Sequence, residues 1–183
     1  NALRAIRAGA NALMVNYVAT GLSALRMLAE DPEINVPILA HATAGGSMIV
    51  SPYSGISAHL LMAKLPRIAG ADIINDLVPY GKLPILKHKY IRIAQICRGK
   101  LGKLKRTFPN AVAGVYPGNV PEVIADLGQD CILGVGGGIH AHPMGPKAGA
   151  IAMRQAIAAT LQGVPLDEAA KNQPELRAAI ETW

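Results

Sequence analysis

Three consecutive glycines, Gly136, Gly137 and Gly138, open the most distinctive stretch of this sequence, GVGGGIHAHPMG at Gly134–Gly145. Glycines that follow an apolar run expose successive backbone N–H groups and admit a close-approaching anion, so the stretch is expected to hold phosphate. Its spacing is not that of a dinucleotide fingerprint and no Gly-Lys-Ser/Thr follows, which leaves a Rossmann cofactor and a P-loop unsupported. A tight strand-to-helix turn is the alternative reading of the same residues. His41 ends another apolar run and leads into ATAGGS. An imidazole there can move protons near neutral pH, or simply bond a core carbonyl. Asn16 ends the first such run, facing the same end as His41, and can donate to a substrate hydroxyl or satisfy its own turn. Lys82 lies in PYGKLP, where Gly81 lends mobility. Its ammonium can cover a bound anion and stabilise developing enolate or carboxylate charge, although by position alone it is one more surface lysine. Gly114, before Tyr116-Pro117-Gly118, leaves room for a ligand. His140 and His142 lack a third metal ligand nearby and are read as orienting their loop.

The elements that position these residues alternate. Strands are expected at Ala12–Val18, Pro37–Ala40, Asp72–Ile74, Ala111–Val115 and Cys131–Val135. Helices are expected at Leu22–Ala29, Ile56–Ala69, His88–Gly99, Val120–Leu127, Ala148–Leu161 and Leu166–Thr182. The segments Asp76–Leu86 and Gly136–Pro146 read as loops. Strands that are near-continuous apolar runs, alternating with helices, define an α/β chain with a parallel sheet covered on both faces. The glycines and polar residues gather just after the strands, at the face where open and barrel α/β proteins place ligands.

Composition narrows the class further. The chain has 183 residues, 51% of them hydrophobic and 16% charged, which excludes disorder. Mean hydropathy is +0.27, yet no uncharged apolar run reaches about 18 residues, so no membrane partner is expected. Cys97 and Cys131 read as reduced thiols of a cytoplasmic protein. Of the eighteen Lys and Arg residues, nine fall within 81–106, which contains no Asp or Glu. Such a run can bind nucleic acid or an anion, but one Phe, one Trp and five Tyr offer little base stacking, so nucleic acid is disfavoured. The sequence starts at Asn1 without Met, in a helical pattern, and is expected to belong to a longer chain.

Taken in order, these segments resemble the C-terminal barrel of the RuBisCO large-subunit superfamily over nearly the whole chain. PYGKLP resembles the mobile sixth loop, which places Lys82 at the family's catalytic lysine, and His41 falls on the fifth-loop histidine. GVGGGIHAHPMGPKAGA, followed by Arg154, resembles the eighth-strand phosphate loop and its helix. Other positions depart. Asn16 stands where the carboxylating enzymes usually carry Asp, and Ala42 stands at the position of a phosphate-binding arginine. Asn75 or a neighbour lies near a phosphate-site histidine. AGVYPGNVP lacks the family's SGG, leaving Gly114 as the counterpart of that turn. Losing these ligands while keeping the three glycines implies a substrate with one phosphate. The style is that of a form IV RuBisCO-like protein, of the methionine-salvage enolase and isomerase type. Retention of Lys82 is unlike some of those enolases and leaves the exact reaction open.

The resemblance implies the C-terminal portion, about strands 4–8, of a TIM (β/α)8 barrel. Residues 1–183 form one partial barrel domain, without the N-terminal domain and first strands. It also implies Mg2+ held by a carbamylated lysine and two carboxylates N-terminal to this chain, with no metal ligand inside it. The expected activity is Mg-dependent enolisation or isomerisation of a phosphorylated keto-sugar of the methylthio-pentulose phosphate type. Lys82 and His41 would be catalytic, and Gly114, Gly136, Gly137, Gly138 and Asn16 would bind substrate and phosphate. The isolated chain is expected to be inactive, and a homodimer or higher oligomer to form. The alternatives are a genuine ribulose-1,5-bisphosphate carboxylase and a basic domain that binds nucleic acid or a partner.

Overall fold

The structure is a computed structural model that describes every residue except Pro52, Lys82 and Pro84. Five strands, β1 (Leu13–Asn16), β2 (Ile38–His41), β3 (Ile73–Leu77), β4 (Phe108–Val112) and β5 (Ile132–Gly134), follow the sheet order β1-β2-β3-β4-β5. Parallel pairing sets Asn16 opposite His41, and Ala40 opposite Ile74. The helices are α1 (Ala2–Arg7), α2 (Tyr17–Thr20), α3 (Leu22–Glu30), α4 (Gly46–Ile49), α5 (Leu65–Ile68, entered through a π-helical turn Leu60–Lys64), α6 (Lys87–Arg98), α7 (Val120–Leu127), α8 (Gly137–His140), α9 (Pro146–Leu161), α10 (Leu166–Ala169) and α11 (Pro174–Thr182). The α/β fold with a parallel sheet is therefore the one read from the sequence. No helix among the described residues is long and apolar enough to cross a membrane.

Two compact units make up the chain, residues 1–76 with 88–110, and residues 77–87 with 111–183. In the first, Leu25, Ile38, Ile74, Tyr90 and Ile93 are fully buried. Helix α6 shows why its sequence folds as it does: Tyr90, Ile93, Ala94 and Cys97 recur at helical spacing and are buried, leaving its cations on the other face. The carbonyls around its C-terminus are gathered by Arg67, only 3% exposed, which donates to Ile96 O, to Gly99 O at 2.8 Å and to Lys105 O at 2.8 Å. One guanidinium thus takes one orphan carbonyl of the helix end, Ile96 O, together with carbonyls of the loop that follows. In the second unit, Val78, Val120, Val123, Leu127 and Ala152 form the core. Helix α9 presents Ala148, Gly149, Ala152 and Ala156 inward, and Gly149 packs so tightly that an added Cβ would lie 2.2 Å from Ile139 O.

Several boundaries differ from the sequence reading, each for a local reason. The first strand, expected over Ala12–Val18, stops at Asn16 because buried Tyr17 turns into α2 and donates its hydroxyl to Leu61 O at 2.8 Å. The third, expected at Asp72–Ile74, runs on to Leu77, so Asp76 belongs to a strand and not to the loop Asp76–Leu86. Asn75 tolerates burial there because its amide oxygen accepts from Asn110 at 2.8 Å. The fourth, expected at Ala111–Val115, begins at Phe108 and ends at Val112, where Ala113 takes a φ of 68° that extended backbone does not allow. The loop Gly136–Pro146 contains α8, and the long terminal helix Leu166–Thr182 breaks at the extended Gln173 before Pro174 restarts it.

Candidate active site

In the first unit the structure brings Asn16 and His41 together at the ends of neighbouring strands. The Asn16 amide, turned so that its nitrogen faces acceptors, donates to His41 O and Thr43 O, each at 3.2 Å. The imidazole is held in turn by Thr43: the backbone N–H of Thr43 lies 3.1 Å from Nδ1 and its Oγ1 2.6 Å from the same atom. Ala44 follows with a φ of 73°, a conformation that costs free energy in a residue with a Cβ and that clusters at functional sites. Neither Thr43 nor Ala44 stood out in the sequence. Nothing in a residue type announces a positive φ at alanine.

The second unit carries the glycines. A cavity of about 560 Å³ is lined by Gly114, Tyr116, Gly136, Gly137, Gly138 and Trp183, among others. Each glycine has its own reason. At Gly138 a Cβ would lie 2.6 Å from Val115 O and 2.8 Å from Tyr116 Cα, so packing alone demands glycine. At Gly114 it would lie 2.3 Å from Gly81 Cα, and φ is +156°. Gly136 and Gly137 are different: both are exposed, and a Cβ on either would meet nothing within 4 Å. Gly137 begins α8, where first-turn N–H groups have no partner within the helix. Trp183, which sequence reasoning missed, lies tilted against Tyr116 at 5.8 Å between ring centres and edge-on to His142 at 6.4 Å. His142 is buried and structural, with Nδ1 accepting from Met144 N at 3.1 Å and Nε2 donating to Glu175 O at 3.0 Å.

Lys82 lies outside the described residues. The residues beside it are anchored within the second unit. Gly81 abuts Gly114 backbone to backbone, Tyr80 donates its hydroxyl to Asp126, and Lys87 bonds Glu122 at 3.2 Å and Asp126 at 3.4 Å. Burial and the bond to Asp126 push the Tyr80 hydroxyl up to about 12. No group of three His, Cys, Asp or Glu side chains among the described residues is placed to hold a metal ion. The described residues thus supply no cluster of three such side chains for a magnesium ion.

Residues 4–183 match the family model of the ribulose bisphosphate carboxylase large chain, catalytic domain. The chain belongs to this family. Among its relatives, a ribulose bisphosphate carboxylase-like protein of Archaeoglobus fulgidus is 52% identical over 163 residues, covering 89% of this chain and 37% of that protein. A 2,3-diketo-5-methylthiopentyl-1-phosphate enolase of Bacillus cytotoxicus is 44% identical over 183 residues, covering 100% of this chain and 44% of the enolase. The crystal structure of a rubisco-like protein (MtnW) from Alicyclobacillus acidocaldarius superposes with a TM-score of 0.93 at 44% identity, covering 100% of this chain and 46% of that one. This RuBisCO-family chain thus spans less than half the length of the relatives it matches.

Proposed function

We propose that this chain contributes the phosphate-binding part of a RuBisCO-like enzyme that enolises or isomerises a phosphorylated keto-sugar. The reading rests on Gly136 and Gly137, whose exposed backbone and open surroundings give the fold no steric reason for glycine. An anion approaching their N–H groups supplies the reason, since a Cβ would occupy its space. In this reading the α proton of the substrate leaves to a base and its C–H electron pair becomes the new C=C bond, while the carbonyl π pair moves onto oxygen. Gly136 and Gly137 hold the phosphate, Gly138 and Gly114 keep the turn in place, Lys82 covers the substrate and His41 meets its polar atoms. Asn16 acts through the 41–43 turn that it holds. Ala42 offers no charge for a second phosphate, which favours the methylthio-pentulose monophosphate type over a bisphosphate. Magnesium would stabilise the enolate oxygen when bound. In this reading its ligands, a carbamylated lysine among them, belong to sequence outside 1–183, as the family resemblance implies.

The test is made in the full-length protein with 2,3-diketo-5-methylthiopentyl-1-phosphate, following enol formation. Gly137→Ala is expected to raise KM, and the inhibition constant of inorganic phosphate, by about tenfold with the Tm unchanged. Lys82→Ala is expected to lower turnover by about a hundredfold, again without loss of Tm. An unchanged phosphate affinity in Gly137→Ala would overturn the cradle. Substantial carboxylation of ribulose 1,5-bisphosphate by the native protein would overturn the choice of substrate.

A further inference from the structure

The surroundings of His41 fix where its ring proton sits. A backbone N–H can only donate, and that of Thr43 lies 3.1 Å from Nδ1, so Nδ1 is the acceptor. The Thr43 hydroxyl, at 2.6 Å from the same nitrogen, adds a second polar group there. In a neutral imidazole with Nδ1 accepting, the proton resides on Nε2. The chain contains its own control. His142 accepts the N–H of Met144, also two residues on, at 3.1 Å through Nδ1, and its Nε2 then donates to Glu175 O at 3.0 Å. At His41 the same local motif recurs, but Nε2 has no hydrogen-bond partner among the described residues. The donor that holds a helix at His142 is left over at His41.

The backbone of this turn is also held. Asn16 donates to the carbonyls of His41 and Thr43, Gly45 N donates to Ala42 O at 2.9 Å, and Ser47 Oγ to Ala44 O at 3.0 Å. These bonds fix the loop that carries Thr43, and Thr43 in turn fixes the ring. Such support is what keeps a donor aimed before charge develops.

We propose that His41 meets the substrate as a hydrogen-bond donor through Nε2–H, aimed at an oxygen that gains negative charge, and that Thr43 is the residue positioning it. The proposal rests on the reading of His41 as a substrate contact given above. The imidazole keeps its proton throughout. A general-base role at Nε2 is excluded in this tautomer, because that nitrogen already carries hydrogen.

Two kinds of experiment in the full-length protein test it. With 15N-labelled histidine, long-range 1H–15N correlation at neutral pH, assigned with His41→Ala, should show Nδ1 unprotonated and Nε2 protonated. The opposite tautomer overturns the proposal whatever the activity. In kinetics, His41→Gln keeps an N–H near the position of Nε2 and cannot act as a base. It is expected to retain turnover within about tenfold of native, while His41→Ala loses about a hundredfold. A Gln variant as slow as the Ala variant overturns the donor role.

Thr43→Val should lower kcat by about five- to tenfold with KM nearly unchanged, and Thr43→Ser should restore it. In the His41→Ala background Thr43→Val should have no further effect, and an undiminished loss there overturns the positioning role. Thr43 is exposed, so its replacement opens no core. If His41→Ala leaves turnover intact, the contact fails. The phosphate cradle is still judged separately by Gly137→Ala.

Discussion

Asp76 is the residue whose surroundings least suit its chemistry. It lies in β3, fully buried, and neither carboxylate oxygen has a hydrogen-bond partner among the described residues. Burial pushes its pKa well above the ordinary carboxylate value, and burial likewise raises the neighbouring Cys97 thiol to about 12. The sign of the consequence follows from linkage. Below about pH 4 the folded and unfolded chains both hold the proton, and burial costs little. Above that, the unfolded chain releases it while the folded chain retains it, so stability falls as pH rises toward the folded pKa. Asp76→Asn should therefore raise the Tm at pH 8 relative to pH 4 by about 4 °C or more in thermal unfolding. An equal change at both pH values would show that Asp76 does not titrate as described. The sequence made the strand-end residues Asn16, His41 and the glycines legible, because strand ends and glycine runs are patterns of residue type. Asp76, Thr43 and Ala113 were not legible, since a buried carboxylate, an acceptor nitrogen and a φ of 68° arise only from tertiary placement.

Among the elements, α7 does more than cover the sheet. Its Asp126 takes the hydroxyl of Tyr80 and the ammonium of Lys87, which stand on either side of residues 81–86, and the Lys87 ammonium also lies 5.2 Å from the Tyr80 ring centre. The Asp126 side chain is mostly buried, whereas Glu122, the other partner of Lys87, is half exposed. An exposed pair in water contributes little, whereas removing a sheltered carboxylate takes away the acceptor that both the Tyr80 hydroxyl and the Lys87 ammonium use. Asp126→Ala is expected to destabilise by about 1–2 kcal/mol and to speed amide exchange at Tyr80, Gly81 and Lys87. Glu122→Ala should do neither. Exchange that stays unchanged in Asp126→Ala would show that α7 does not hold these ends. Alternation and apolar runs announced every strand and the main helices. The break at Gln173–Pro174 and the turn of α8 were missed, although Pro174 at a helix start was itself a readable signal.

At the scale of the whole molecule, a polyanion partner for the basic run 81–106 was already disfavoured by the few aromatic residues, and the structure gives several of its charges other work. Lys87 joins the carboxylates of α7, Lys89 donates to Ile49 O at 3.2 Å, and Arg92 donates to Gln95 at 3.2 Å. The sheet offers a stronger reason to associate. Its order ends at β1 and β5, each of which has a neighbouring strand on one side only among the described residues. On β1, Met14 is 70% exposed, and Met27 of α3 is 73% exposed. An unpaired parallel edge that displays apolar side chains favours pairing with another segment. The relatives are more than twice as long, and in them the matching segment lies beside a great deal of further sequence. Chain 1–183 is therefore expected to sediment as a dimer or larger species at micromolar concentration, and Met14→Lys, which puts a charge on the edge strand, to shift it toward monomer. A single monomeric species across that range would mean that the edges are closed by the chain's own residues, and that the high mean hydropathy of +0.27 reflects its interior alone.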